Sequence, residues 1–338
     1  MALTSSARRA LEFGASEVLF DVHRMLMRQE PAAAEPRHVC IMTQIGSLLL
    51  YHAWKDILAQ AGIQLRVTGV YCHQTPKAHF TFKGGKAAPE LGDLLIVHEH
   101  LHPTSPRRRT LLVQAKMATG GKPTGAPNMP QEHLYEYWPK FRLRGHGGRG
   151  TGARFLDGDR RLKPNGRGST YAFIEGAEMP IGIHGHLRPS VWRFAKPNSK
   201  GQARHAALTL SDMVLGRSGA GRPASILTGS LADPNKASHL APNSPQDFHW
   251  SATVQELLNV TAAKALPAGM PGPLVATRGI TFGFIQRDTA LHFAGSGDLF
   301  PGGRGHIPAE GVEEGSGDGI SIILIETLGD GLDEPVRG

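Results

Sequence analysis

Three side chains bordering two short apolar runs are of the types needed to work on a phosphodiester. Asp93 opens the run Asp93-Leu94-Leu95-Ile96-Val97, and Gln114 and Lys116 close Thr110-Leu111-Leu112-Val113-Gln114-Ala115-Lys116. Gln114 and Lys116 are two residues apart, so on a pleated strand both point to one face. An antiparallel hairpin brings Asp93 to the same place. A carboxylate offers the hard oxygen that Mg²⁺ takes, and an amide oxygen is a weaker ligand. An ammonium can position a water or stabilise charge on a pentacovalent phosphate. A plainer reading makes Asp93 a turn residue and leaves Gln114 and Lys116 as solvent-facing groups on an edge strand. The apolar residues 111–113 argue against it, because a fully buried strand must bring its polar tail out somewhere, and such tails commonly line a cleft.

The elements that must hold these groups can be read from periodicity. From Ser5 to Gln29, Leu11, Ala15, Val18, Leu19, Val22, Met25 and Leu26 recur at three- and four-residue steps, the stripe of an amphipathic helix that also carries Glu12, Glu17 and Asp21. Pro31 to Pro36 interrupts it, and a second helical pattern covers 44–60, stopped by Gly62. Short β-prone runs follow at 63–71, 79–82, 93–98 and 110–116, read as neighbouring strands with the last two forming a hairpin. The sequence predicts a short helical turn within 131–141, ended by Pro139 and packed through Tyr135, Tyr137 and Trp138. Further strands are expected at 171–174, 280–285 and 320–325, and helices at 208–215 and 254–265.

The order helix, strand, Gly92-Asp93 strand, Gln114-Ala115-Lys116 strand resembles the metal-binding core of the restriction-endonuclease-like PD-(D/E)xK phosphodiesterases, and the Q-x-K spelling is similar to their methylation-directed restriction branch. The chain departs from the commoner pattern at Gln114, which replaces the second acid, and at Gly92, where Pro is usual. The resemblance covers roughly residues 5–130. It implies an α/β fold with a restriction-endonuclease-like mixed central sheet flanked by helices, followed here by a Gly/Pro-rich α+β C-terminal region. It implies a Mg²⁺- or Mn²⁺-dependent endonuclease acting on double-stranded DNA, in restriction or antiviral defence, with Asp93 and Gln114 on the metal and Lys116 orienting the water. A first-helix carboxylate often completes that family's site, and Glu17, or else Glu12, is the expected one here.

Other motifs compete for the chemistry. His98, His100 and His102 share a face if their strand continues, and imidazoles so placed can ligate zinc. The H-x-H at His98 and His100 resembles the start of metal-dependent amidohydrolase barrels, and His184-Gly185-His186 repeats it. Barrel strands are parallel and separated by helices, whereas only about seven residues part this strand from the next. The glycine cluster 145–152 lacks the Gly-Lys-Ser/Thr ending of a phosphate loop. Its basic surroundings suit contacts to a nucleic-acid backbone. Arg107, Arg108 and Arg109, expected at a hairpin tip, and Arg142, Arg144, Arg149, Arg160 and Arg161, in a glycine-rich basic loop, are the candidate contacts.

Composition sets the bounds. The chain has 338 residues, enough for two domains or one with long insertions, and the reading divides it at 130 into a nuclease core and a region continuous with it or separate. Lys+Arg number 37 against 29 Asp+Glu, a net +8 that favours a polyanionic partner. A degenerate, non-catalytic nucleic-acid-binding or assembly protein would share that charge. The 42 Gly and 24 Pro exclude a compact helical bundle. Two cysteines, Cys40 and Cys72, are too few for a disulfide framework or a Cys-rich zinc site. With no apolar run of membrane-spanning length, the expectation is a cytoplasmic protein with no membrane partner, open to self-association or to a defence-system partner.

Overall fold

A computed structural model describes residues 3–72, 76–102, 104–120, 122–124, 128–144, 159–163, 168–177, 190–195, 203–217, 220–226, 245–264, 281–286, 320–330 and 332. Helix α1, Ser5–Gln29, starts where the Thr4 hydroxyl accepts from the Ala7 N–H at 3.1 Å. That bond satisfies one of the orphan donors of the first turn. Its stripe of Leu11, Ala15, Val18, Leu19, Val22 and Leu26 is buried. Pro36 starts the next helix instead of blocking it, because a proline in the first turn has no bond to lose. Thus α2, Glu35–Ile41, runs through a π-helical turn, Met42–Gly46, into α3, Ser47–Ala59. Helicity therefore begins nine residues earlier than the expected 44.

The strands follow as β1 (Gln64–Cys72), β2 (Lys77–Phe82), β3 (Gly85–Ala87), β4 (Leu94–His100), β5 (Arg107–Thr119) and β6 (Lys122–Pro123). Helix α4 (Met129–Tyr137) leads to β7 (Arg142–Arg144), β8 (Ser169–Glu175), β9 (Trp192–Ala195) and β10 (Arg204–His205). Then come α5 (Ala206–Val214), β11 (Arg222–Pro223), α6 (Gln246–Lys264), β12 (Thr281–Gln286) and β13 (Ser321–Leu328).

One mixed sheet runs in the order β10-β9-β8-β5-β4-β13-β1-β12, with β6 and β11 attached to β5. The β4–β5 pair is the antiparallel hairpin expected, Leu94 lying opposite Val113 and His100 opposite Arg107. The four early runs are not all neighbours. β13 lies between β1 and β4, antiparallel to the first and parallel to the second, and β2 leaves for a separate sheet ordered β3-β2-β7. Every residue of β4, and all of β13 except Leu328, is buried. Each therefore reads as a continuous apolar run, as a strand covered on both faces does.

Alternation along the strands divides the core in two. Leu94, Ile96, Leu111, Val113, Ala115, Ile323 and Ile325 face α1, α3 and α5. Leu95, Val97, Leu112, Ile322 and Leu324 pack with Leu134 and Tyr135 of α4 and with Trp250 and Leu257 of α6. The chain is thus an α/β protein with a mixed central sheet flanked by helices. Strands from both sides of residue 130 share that sheet.

Two glycines permit close approaches. A Cβ on Gly69 of β1 would lie 1.6 Å from the Thr43 carbonyl oxygen, so its absence lets the π-turn rest on the strand. A Cβ on Gly92 would lie 2.8 Å from the Tyr135 hydroxyl, which instead donates to the Leu91 carbonyl at 2.8 Å. The residue before Asp93 is thereby held under α4. Among the described residues, no helix is long and apolar enough to cross a membrane.

Candidate functional site

Asp93 sits one residue before β4, where its backbone N–H donates to the Val113 carbonyl at 2.8 Å. That bond fixes it beside the C-terminal half of β5. Its Oδ2 accepts from the Ala115 N–H at 2.7 Å and from the Gln114 side-chain amide. Gln114 and Lys116 lie on the β5 face that carries Leu112, and the Lys116 ammonium pulls the Asp93 pKa down. The acid, the amide and the amine meet on one face at the end of one hairpin.

Behind Gln114 stands a residue the sequence reading did not single out. The Gln131 amide, on the first turn of α4, donates to the Gln114 side-chain oxygen and to the Glu90 carbonyl at 3.3 Å. The turn is held by Asn128, whose side chain accepts from the Gln131 N–H. A run of amides therefore leads from the Glu90 backbone through Gln131 and Gln114 to the Asp93 carboxylate. The N-cap Asn128 three residues ahead of Gln131 was the available signal, but it announces a helix and not a contact.

The carboxylates near Asp93 are also other than expected. Burial, then the charge of Glu90, and more weakly that of Glu35, push its pKa up to about 7 against the pull of Lys116 and the Ala115 N–H. Glu35 opens α2, and its carboxylate accepts from the Met117 N–H at 3.4 Å, one residue past Lys116. Glu12 and Glu17 lie on α1, which packs on α3 and α5. The second helix also brings a carboxylate, Glu35, to this corner. Among the described residues, no three His, Cys, Asp or Glu side chains converge as a preformed metal centre.

The basic residues divide sharply. Arg107, Arg108 and Arg109 belong to β5 itself and not to the connection that precedes it. They stand opposite His100, Glu99 and His98, about 20 Å from Asp93 at roughly 3.3 Å per strand residue. Arg108 is buried, paired with Glu99 at 2.7 Å and bonded to Gln255 at 2.8 Å. Arg160 is also buried, paired with Glu256 at 2.5 Å. Both are structural ion pairs, which corrects their expected place on a nucleic-acid surface. Arg142, Arg144 and Arg161 are exposed. Arg149, the glycine cluster and His184-Gly185-His186 lie outside the described residues.

His98 and His100 are buried and share one partner, the Thr327 hydroxyl of β13, at 2.9 and 3.0 Å. Burial first, then the neighbouring His100, push the His98 pKa down to about 3. The antiparallel β4–β5 pair is not the arrangement of a parallel barrel. Of the aromatic cluster, Tyr135 and Trp138 are core residues while Tyr137 is 52% exposed. No protein-family model, curated protein or solved structure matches the chain.

Proposed function

We propose that the chain is a metal-dependent endodeoxyribonuclease of the restriction-endonuclease-like kind. The observation that carries this reading is the meeting of Asp93, Gln114 and Lys116 on one face of a single hairpin, with Glu35 and Glu90 close enough to act on the same carboxylate. The element order of the resembled family supports it. The donor set also fits a hard divalent cation, since Mg²⁺ takes one or two carboxylates, keeps several waters and needs no closed three-residue cage.

Asp93 would hold the ion, with Glu35 or Glu90 as the second carboxylate, while Gln114, whose oxygen accepts from Gln131, would orient Asp93 through its side-chain N–H. When bound, Mg²⁺ or Mn²⁺ lowers the pKa of a water and neutralises charge on the scissile phosphate. The rest falls to the protein's own groups. The Ala115 N–H fixes the Asp93 carboxylate, Gln131 fixes Gln114, and the Lys116 ammonium orients the attacking water and stabilises negative charge on the phosphate.

Incubating supercoiled plasmid with the protein in Mg²⁺, Mn²⁺ or EDTA tests this reading. Cutting is expected with metal only, and Asp93→Ala and Lys116→Ala are expected to abolish it with circular dichroism unchanged. Cutting that persists in EDTA, or in both variants, would overturn the proposal. A DNA mobility shift in all three conditions without cleavage would make the chain a non-catalytic binder.

A further inference from the structure

The small sheet β3-β2-β7 has one face in the core and one outside. Ala78 and Phe80 of β2 and Leu143 of β7 point inward and are buried. The alternate residues point outward. Lys77 stands opposite Arg144 and His79 opposite Arg142, while Thr81 stands opposite Lys86 of β3. The outer face is therefore laid out as Lys77, His79, Lys86, Arg142 and Arg144, with Lys86, Arg142 and Arg144 exposed and Lys77 and His79 half-buried. That clustering is itself electrostatically costly. Burial lowers the His79 pKa, and Arg144 and Lys77 lower it further. Asp159 offsets part of the charge through Arg142 at 2.8 Å and Lys140 at 2.5 Å, and both of those cations remain more than half exposed.

The face adjoins the candidate site. Lys77 pairs through the backbone with Glu90, the residue whose charge acts on Asp93. Cations held on a rigid strand pair and backed by core, which among the described residues outnumber the neighbouring acids Glu90 and Asp159, suit a polyanion whose charges recur along a line. They do not suit a compact anion, for which a concave pocket is needed.

We propose that this outer face carries the sugar-phosphate backbone of a nucleic acid leading toward Asp93, with Lys77, Lys86, Arg142 and Arg144 neutralising phosphates. The direction of travel rests on the nuclease reading; the contact itself does not.

Fluorescence anisotropy with a labelled duplex DNA, in EDTA so that nothing is cut, tests the contact. The variant Lys77→Gln/Lys86→Gln/Arg144→Gln is expected to bind at least about tenfold more weakly at ~0.1 M salt, and the slope of log K against log[salt] is expected to fall by about 2.7, near 0.9 for each phosphate left without its cation. Lys86→Glu alone, an exposed reversal on a three-residue edge strand, is expected to weaken binding with melting unchanged, so misfolding of the triple variant leaves the test intact. Arg9→Gln/Lys55→Gln, on α1 and α3 and away from this face, is expected to bind as the wild type does. A duplex RNA probe is expected to lose affinity in parallel, as backbone contacts require. Unchanged affinity and slope in the triple variant, or a larger loss from Arg9→Gln/Lys55→Gln, overturns the proposal. The two readings separate cleanly. A wild type that binds through this face but cuts nothing keeps the surface and removes the nuclease, whereas one that cuts with the triple variant's affinity intact does the reverse.

Discussion

Gln131 donates its side-chain amide to the side-chain oxygen of Gln114, so a helix residue fixes the orientation of a strand residue in the candidate site. Gln131→Ala leaves that buried oxygen without its donor, which costs about 1–3 kcal/mol. Urea denaturation is expected to show a lower midpoint at unchanged slope. In the nuclease assay, kcat is expected to fall more than KM rises, because the group removed positions a ligand and touches no substrate.

Glu35 of α2 brings a carboxylate to the strand that carries Lys116, and its charge acts on Asp93. Glu35→Gln is expected to reduce metal-dependent cleavage about 10–100-fold, as removal of a group supporting a metal site does, with Glu17→Gln close to wild type. Cleavage rates for the two variants at several Mg²⁺ concentrations provide the comparison.

Asp93 has a folded pKa of about 7, above its ordinary 3.8. A raised carboxyl pKa means that the folded chain holds the proton more tightly. Its stabilising contribution is full below pH 3.8 and is lost as pH rises through about 7. In metal-free buffer at pH 8, Asp93→Asn is therefore expected to be more stable than wild type, by roughly 1–2 kcal/mol after allowing for its partial exposure. Thermal melts at pH 5 and pH 8 would show the larger gain at the higher pH.

His98 and His38 shift the opposite way, to about 3 and about 4, both chiefly through burial. The unfolded chain takes up these protons near pH 6.5 and the folded chain does not. Their contribution is complete above pH 6.5 and is lost as pH falls toward 4. Each adds a slope of about 1.4 kcal/mol per pH unit once its unfolded form is charged. Urea midpoints between pH 7 and pH 5 are expected to drop, and less steeply in His98→Gln.

Much of this arrangement is written in local pattern. The α1 stripe, the apolar runs of β4 and β5 and the two-residue spacing of Gln114 and Lys116 each depend on neighbours in sequence, and the fold places them as expected. What local pattern lacks is partnership. Arg108 and Arg160 look like surface cations until Glu99, Gln255 and Glu256 are seen beside them, two of these from a helix some 90 to 150 residues away. Pro36 resembles a breaker, yet it opens the helix that delivers Glu35. The choice of Glu17 followed helix order, and a π-helical turn joining α2 to α3 has no periodic signature to betray it.

The buried pair of Arg160 and Glu256 offers a test of that distinction. Arg160→Met alone strands a carboxylate in the core and is expected to cost about 3–5 kcal/mol, whereas pairing it with Glu256→Leu recovers most of the loss. Arg161→Met, on an exposed neighbour, is expected to change stability by no more than about 0.5 kcal/mol. Denaturant titrations of wild type, Arg160→Met, Glu256→Leu and the double variant complete the cycle, with Arg161→Met as the exposed control.

The position of β13 has a bearing on synthesis. Residues 321–328 fill the gap between two strands made more than 200 residues earlier, β1 and β4. A nascent chain emerging from the ribosome therefore carries the Asp93 hairpin long before its sheet can close. Until that late segment arrives, the edges of β1 and β4 stay open to wrong partners. Fragments ending ahead of residue 321 should aggregate or be degraded, so a cell translating this message holds no half-built Asp93 corner that persists.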